Sequence, residues 1–316
     1  MKRWITWLLT VLLLLTAAVY IIIPGTLVIS EITVIACPKN AAGRMLLDES
    51  KWRQWWPSHL SNDTSLPALE NTFHYNGRSY RIMQMFTDRV NILITSHSGS
   101  YNSAFYLLPY NNNSVTLHWE CRFATAYNPL KRIRQYREAT YIKDNMASVF
   151  NSLKAFLEKT ENVYGFPIHE IISKDSTLIA TRHVTKAYPS TREIYDMVDT
   201  MKRYIAEHGA IETNYPMLRV TQLNDSSYQT MIAISTSKRL AGNGFIFFQR
   251  FVPWKTLAGT VKGGVHTVEQ AFDQMNIFVE DHQRTSMAVP FQSLVTDRRT
   301  EPDTLKWVTI IYQPVS

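Results

Sequence analysis

The sequence has few of the residues from which metal sites and disulfide frameworks are built. It contains two cysteines in 316 residues, Cys37 and Cys121, and neither belongs to a CxxC motif. Its nine histidines do not recur at the spacings of metal ligands. We therefore expect neither a metal nor a cofactor, and the cysteine spacing leaves open whether the two thiols pair.

The sequence also lacks the short motifs of common enzyme classes. GxSxG, P-loop, HExxH and GxGxxG followed by an acidic residue are all missing. The glycine-rich segment 242–244 reads as a turn, because no helix with a following Lys and Ser or Thr comes after it. We assign no catalytic residue and expect a binding protein in preference to an enzyme.

Strong net charge is missing too, which argues against nucleic acid as a partner. The formal charge is +7, and Lys2 and Arg3 supply two of those charges, which leaves +5 for the rest of the chain. No helix-turn-helix pattern is visible. With 45% hydrophobic and 19% charged residues and no low-complexity tract, the chain is typical of globular proteins, and its length suggests two domains.

A long apolar run opens the chain. No charged residue occurs between Trp4 and Ser30, and residues 5–23 would span a bilayer core of about 30 Å as a helix. Lys2 and Arg3 precede the run, so the positive-inside rule places the N-terminus in the cytoplasm and the globular part outside, in the periplasm or another extracytoplasmic space. A cleaved signal peptide and a lipoprotein signal ending at Cys37 are the alternatives; the run is long for the first, and Glu31 interrupts the second. We predict a bacterial single-pass protein with an anchor at residues 1–27 that contacts the membrane through residues 4–24.

Strand and helix patterns alternate through residues 28–160. A strand over 28–36 precedes a helix over 39–56, and a second helix over 139–158 closes the segment. Between the helices, alternation predicts strands at 78–86, 90–96, 103–108 and 114–123.

This segment resembles the START-like superfamily, also called SRPBCC or polyketide cyclase-like. The resemblance is carried by four segments: 51–57 with its three tryptophans, 116–120, 128–130 and 150–158. It implies a helix-grip fold, in which a curved antiparallel sheet wraps on a long C-terminal helix and the two enclose an apolar cavity. Trp55 and Trp119 are candidate ligand-binding residues of such a cavity, and core packing is the alternative for both.

The last third of the chain repeats a pattern about 74 residues apart. His208 precedes Pro216 by eight residues, and His282 precedes Pro290 by eight. Each histidine follows an amphipathic helix pattern. In the first copy Ser190 and Glu193 predict a capping box, whereas Thr267 and Gln270 predict a helix that starts about one turn later in the second.

We therefore predict two β-α-β-β repeats, at about 166–237 and 245–316, related by a pseudo-two-fold axis. The first would contain strands at 177–186, 217–223 and 228–235. In the second, strands follow the helix at 291–296 and 305–312, while either 245–252 or 256–262 opens the repeat.

The segment 163–316 resembles the GyrI-like small-molecule-binding domain, the effector-binding domain of AraC-type and MerR-type regulators. The segments that carry the resemblance are 263–266, 290–291, 300–303 and 307–315. It implies a ligand cleft between the repeats, lined by aromatic residues. Ligand-binding members place a buried glutamate on a central strand, and the strands at 230–234 and 307–311 carry no acidic residue, which puts cation selectivity and hydrolysis in doubt.

Five aromatic residues are candidates for this cleft because they lie at strand ends or equivalent turns: Tyr188, Tyr215, Trp254, Trp307 and Tyr312. Glu212 and Glu301 are the nearest acids that could replace the missing glutamate. We predict an α+β protein that binds a hydrophobic or amphipathic small molecule without catalysis, for sensing, sequestration or carriage. The alternatives are a hydrolase or cyclase-like enzyme in one of the two cavities, and an envelope protein-interaction module.

Overall fold

The computed structural model describes residues 2–57, 71–173 and 176–316, and its chain divides into two compact units. The first unit is Met1–Lys159 and the second is Thr160–Ser316. Each unit combines helices with one antiparallel sheet, so the predicted α+β class is confirmed.

The chain begins with helix α1 (Lys2–Ile22). The most apolar 18 residues of its segment Arg3–Ile22 have a mean hydropathy of 2.4, and none of them is buried inside the protein. Twenty residues at about 1.5 Å each match the thickness of a bilayer core. The helix is thus long and apolar enough to cross a membrane, a property that signal sequences share.

The first unit is built on an antiparallel sheet. In the described residues its strand order is β1-β6-β5-β4-β3-β2. The strands are β1 (Thr26–Ile35), β2 (Thr72–Tyr75), β3 (Arg78–Met85), β4 (Arg89–Ser96), β5 (Gly99–Asn111) and β6 (Ser114–Ala124). Alternate residues of β6 are buried, from Val115 to Phe123, because successive side chains of a strand point to opposite faces. Sequence patterns missed β2 and the two ends of β5.

Both predicted helices of this unit have different bounds. Instead of one helix over 39–56 there are two, α2 (Lys39–Leu46) and α3 (Glu49–Trp55). Asp48 interrupts them because its carboxylate accepts a hydrogen bond from Ser50 N (3.0 Å) and caps the second helix. Helix α4 (Pro129–Leu157) begins ten residues before the predicted start at 139, where Asn128 caps it and Pro129 occupies the first position.

Aromatic side chains fill the core of the first unit. Trp52 stacks on Trp56 with ring centroids 5.8 Å apart, and Phe105 stacks on Trp119 at the same distance. The cysteine pair is resolved: both thiols are buried and neither is in a disulfide. Burial raises the pKa of Cys121 to about 12, so this thiol stays protonated.

The second unit has a wider antiparallel sheet. Over the described residues the strand order is β11-β8-β10-β9-β13-β14-β12-β7. The strands are β7 (Ile168–Ile172), β8 (Ser176–Thr185), β9 (Met217–Asn224), β10 (Ser227–Thr236), β11 (Ile246–Phe251), β12 (Lys255–Lys262), β13 (Phe291–Leu294) and β14 (Val308–Pro314). The helices are α5 (Thr160–Tyr164), α6 (Thr191–Glu207) and α7 (Val265–Asp281). The two segments considered as the first strand of the predicted second repeat, 245–252 and 256–262, are therefore both strands, β11 and β12.

Each edge strand of this sheet pairs with a strand from the other half of the unit, an arrangement that we call the exchange of edge strands. Strand β7 pairs with β12, far ahead in sequence, and β11 pairs with β8, far behind it. Ile168 lies opposite Gly259, and Ile246 lies opposite Thr181. The two pairings are related by a constant shift in sequence: Ile246 lies 78 residues after Ile168, and Gly259 lies 78 residues after Thr181.

The two long helices of this unit match in length and ending. Each has 17 residues, and their first residues are Thr191 and Val265. At their ends, Nδ1 of His208 and Nδ1 of His282 each lie 2.8 Å from the carbonyl oxygen four residues earlier. The next residues, Gly209 and Gln283, both have positive φ. The two helices thus end in the same way, with a histidine followed by a residue in the left-handed conformation.

The helix starts differ in chemistry. The capping box of Ser190 and Glu193 is confirmed. The predicted cap at Thr267 is wrong, because α7 begins at Val265 with Gly264 as its N-cap. Thr267 packs instead against Gly263, where a Cβ atom would lie 2.6 Å from Thr267 Oγ1. The second helix thus starts at the position equivalent to the first, without a side-chain cap.

Candidate functional site

The centre of the second sheet is the short contact between β9 and β13. Within the described residues these strands pair at two positions, Leu218 with Gln292 and Met217 with Ser293. Strand β9 continues to Asn224, whereas β13 starts at Phe291. The strands therefore part, and the space beside β9 opens into a cavity.

This seam cavity has a volume of about 360 Å³. Helix α7 covers it with Val265, Val268, Glu269 and Phe272. The other lining residues are Tyr188, Leu218, Arg219, Val220, Thr221, Gln222, Val289, Pro290, Phe291, Gln292 and Arg298. A space of this size with apolar walls and a few polar groups is typical of small-molecule sites.

A second cavity of about 350 Å³ lies beside the same strands. Met217, Met231, Ala233 and Pro314 line this back cavity and are not part of the seam cavity lining. Leu218, Arg219, Val289 and Phe291 line both cavities, which are therefore neighbours at these residues.

Arg298 is the charged residue most deeply placed in the seam cavity lining, with 8% of its surface exposed. Its Nη2 donates to Thr309 Oγ1 (3.0 Å) and, at 3.5 Å, to Gln292 Oε1. The guanidinium lies 4.9 Å from the ring centroid of Trp307. Burial lowers the pKa of Arg298, although a guanidinium remains protonated in a protein.

The lining also contains one carboxylate. Glu269 projects from α7, and 58% of its side chain is exposed. His266 Nδ1 lies 3.8 Å from this carboxylate. Glu269 therefore lies at the solvent side of the cavity, while Arg298 lies inside.

Three of the five predicted cleft aromatics lie at or beside this cavity. Tyr188 lines it, and burial raises the pKa of its hydroxyl. Trp307 packs under Arg298, and Tyr312 stacks on the lining residue Phe291 with ring centroids 4.9 Å apart. Tyr215 and Trp254 are exposed and do not belong to its described lining.

The two acids considered as substitutes for a buried glutamate are engaged elsewhere. Glu212 forms an ion pair with Lys202 (3.0 Å). The Glu301 carboxylate accepts a hydrogen bond from Asp303 N (3.0 Å). Neither belongs to the described lining of the seam cavity or the back cavity.

Trp55 and Trp119 lie in the core of the first unit. Trp55 packs 4.8 Å from Trp52, and Trp119 packs 5.9 Å from Phe150 (ring centroids). That unit has an open depression of about 940 Å³ along β4, β5 and β6, and its described lining contains neither tryptophan. Both tryptophans are buried among other aromatic rings.

Sequence reasoning missed Arg298 and Glu269. Arg298 stands between Asp297 and Arg299 in a polar loop, and such a run usually indicates solvated charge. Arg299 fits that reading, since it pairs with Asp199 (2.6 Å) and Asp297 (2.8 Å). Only the fold distinguishes the buried arginine from its exposed neighbour.

No protein-family model matches the sequence, and no curated protein matches it. Among solved structures, the EcmrR C-terminal domain is similar at 14% identity and a TM-score of 0.42, covering 48% of this chain and 98% of that one. A hydrolase from Listeria innocua is similar at 10% identity and a TM-score of 0.37, covering 47% and 91%. SAV2435 bound to tetraphenylphosphonium is similar at 15% identity and a TM-score of 0.31, covering 47% and 93%. All three TM-scores are below 0.5, so the likeness assigns neither a family nor a ligand to this chain.

Proposed function

We propose that this protein is a membrane-anchored binding protein for a hydrophobic or amphipathic small molecule, and that the seam cavity holds this molecule. The observation that carries the proposal is the cavity itself, a space of about 360 Å³ at the centre of the second sheet. Val, Phe, Leu and Pro supply eight of its fifteen lining residues, and Tyr, Thr, Gln, Glu and Arg supply the other seven. Such a lining favours an apolar body and orients one polar group.

The fold of the second unit, in this proposal, is a duplicated GyrI-like domain within residues 163–316. Equal helix lengths, equal helix endings and the 78-residue shift between the two edge pairings support duplication. A two-fold repeat places its seam at the middle of the sheet, which is where the cavity lies. The first unit, residues 28–160, is proposed to be START-like, supported by its antiparallel sheet and the 29-residue helix α4.

The proposal places the ligand in the second unit because the core of the first is filled. The four tryptophans at 52, 55, 56 and 119 are buried against one another and against phenylalanines. Filling of this kind stabilises a core and leaves little room for a guest molecule. Trp55 and Trp119 are therefore weaker ligand-binding candidates than Tyr188.

Membrane attachment is proposed through α1, with the N-terminus in the cytoplasm and the globular part outside. The length and hydropathy of the helix support attachment, and Lys2 and Arg3 support the orientation. A binding protein held at the membrane would meet amphipathic molecules where they concentrate.

A non-catalytic role is proposed because a hydrolase or cyclase needs a base held beside the reacting group. The carboxylate in the seam cavity lining, Glu269, is mostly exposed and turned toward His266. The surrounding side chains therefore do not fix the position of this carboxylate. The residue most firmly fixed in the lining is a cation, which suits binding better than proton abstraction.

The test is native mass spectrometry, with extraction of bound metabolites and lipids, on the full-length protein purified from alkali-washed membranes. We expect a molecule of constant mass on the wild-type protein. Val220→Trp, which places an indole inside the seam cavity, should abolish its retention. Val184→Trp is the matched control, because Val184 is an exposed strand residue outside the described lining.

Three results would each contradict a part of the proposal. Retention of the same molecule by Val220→Trp would place it outside the seam cavity, and consistently empty wild-type protein would oppose carriage and favour an envelope interaction module. Recovery of the protein in the alkali wash would contradict the membrane anchor.

A further inference from the structure

A cation without a counter-ion lies in the wall of the seam cavity. Arg298 is more than nine-tenths buried, and in the described part of the chain no carboxylate approaches it within salt-bridge distance. Its partners are a hydroxyl, an amide oxygen and an indole ring, all of them neutral. Burying a charge with neutral partners alone is costly, so an anion would be stabilised here.

The guanidinium has donors to spare. It carries five N–H groups in a planar fork, and both of its hydrogen bonds to described side chains use Nη2. Nε and Nη1 remain for another acceptor, and each can donate to a carboxylate oxygen. A bidentate contact would also need Nη2, whose bond to Gln292 Oε1 is long at 3.5 Å.

Trp307 and Thr309 hold the fork in place. Trp307 lies under the guanidinium plane, and its Nε1 donates to Glu301 O (2.8 Å), which fixes the indole. Thr309 is fully buried and accepts from Nη2. A side chain fixed in this way gives up little conformational entropy when it binds, which favours affinity.

The seam cavity lining contains charged residues of both signs, and the most deeply buried of them is positive. Arg219 and Arg298 are the cationic residues of the described lining, and Glu269 is the acidic one. Glu269 is largely exposed and is screened by solvent. The inner part of the cavity is therefore positive.

We propose that the seam cavity binds a small amphipathic carboxylate, whose carboxylate pairs with Arg298 while its apolar body lies against Val220, Val268 and Phe272. This inference rests on the proposed small-molecule function and names the class of ligand. It is opposite in sign to the cation selectivity of ligand-binding members of the family that the second unit resembles.

Isothermal titration of the full-length protein in lipid nanodiscs, with empty nanodiscs as reference, tests the inference. The probes share one apolar body and differ in charge: 3-phenylpropionate, 3-phenylpropanamide and 3-phenylpropylammonium. We expect 3-phenylpropionate to bind at least about 10-fold more tightly than the amide, because its negative charge adds an ion pair with Arg298 to the hydrogen bonds that both probes can accept. The ammonium should bind most weakly. 3-Phenylpropyl phosphate is the fourth probe and separates a carboxylate site from a phosphate site.

Arg298→Met removes the charge and keeps an apolar side chain of similar length. We expect it to lower the affinity for 3-phenylpropionate about 10- to 100-fold, and to lower the affinity for the amide by a smaller factor, because the amide loses a hydrogen bond but no ion pair. The variant should fold, since replacing a buried unpaired charge with an apolar residue is often neutral or stabilising. Arg299→Met is the matched control, because this neighbour is exposed and pairs with two aspartates.

The outcomes separate the two proposals. Binding of none of the four probes to the wild-type protein, together with empty preparations, would overturn small-molecule binding itself. Binding of the amide or the ammonium as tight as that of 3-phenylpropionate, or an unchanged affinity in Arg298→Met, would overturn the anion inference alone. Tighter binding of the phosphate would overturn the assignment to a carboxylate.

Discussion

The two halves of the second unit share a frame and differ most in the connection between their last two strands. The first half contains β8, α6, β9 and β10, and the second contains β12, α7, β13 and β14. In the first, β9 passes to β10 through a tight turn in which Asn224 Oδ1 accepts from Ser226 N (3.0 Å). In the second, residues 295–307 separate β13 from β14 and carry both Arg298 and Trp307. The common frame creates the seam, and the longer connection supplies its charge.

The largest expected effect tests whether the halves are equivalent in packing. Met201 of α6 and Met275 of α7 occupy matching positions, and both are fully buried. We expect Met201→Ala and Met275→Ala each to lower the free energy of unfolding by about 2 to 5 kcal/mol, because each leaves a cavity. Urea unfolding followed by tryptophan fluorescence measures this.

The exposed Met287 is the control for these substitutions, and Met287→Ala should change the free energy of unfolding by less than about 0.5 kcal/mol. Losses that differ between the two buried sites by more than about 2 kcal/mol would show that the halves are not equivalent in packing.

A smaller effect tests the difference between the helix starts. Ser190→Ala should destabilise the protein by about 1 kcal/mol, because it removes the side-chain cap of α6. Gly264→Ser should stabilise it by a few tenths of a kcal/mol, since an added Cβ would lie 3.6 Å from Thr304 Cβ, an ordinary contact. Thermal unfolding of both variants checks the two signs. Destabilisation by Gly264→Ser would show that the second half requires glycine at its N-cap.

The smallest expected effect concerns pH and the matching histidines. Burial lowers the pKa of His282 below its usual value of 6.5, so the folded protein binds this proton less readily than the unfolded chain. The stability it confers is complete above pH 6.5 and is lost as the pH falls from 6.5 through the lowered pKa. Thermal unfolding midpoints of His282→Gln between about pH 5 and 8 should therefore fall less at the acidic end than those of the wild type.

The exposed His208 provides the matched control for this substitution. His208→Gln should keep the slope of the wild-type protein. An unchanged slope in His282→Gln would assign the acid sensitivity to other groups.

Local signals in the sequence predicted local structure well. The capping box at Ser190 depends on two residues three positions apart, and the helix ending at His208 followed from an apolar period and its interruption. Errors arose where a polar side chain acted on the backbone. Asp48 divides a helix that the apolar pattern alone would continue, and Asn128 starts α4 in a segment too polar to show a helical period.

Long-range structure was harder to predict from the sequence. Tyr188 was found because it ends a strand pattern, but nothing near Arg298 in sequence distinguishes it from Arg299. The burial of Arg298 depends on Thr309 and Gln292, which come from two other strands. The edge strand β7 was missed for the same reason, since its partner β12 begins more than eighty residues later.

The exchange of edge strands also governs how the second unit can be made. On the ribosome, β7 emerges with its hydrogen-bonding edge unpaired and stays so until β12 has been synthesised. Strand β11 meets a partner at once, because β8 is already present. When β10 has been synthesised, β7 and the outer edge of β8 are therefore both still unpaired, and a chain truncated there would expose open strand edges to other nascent chains. Because of these two pairings, the sheet of the second unit cannot be completed by the first half alone.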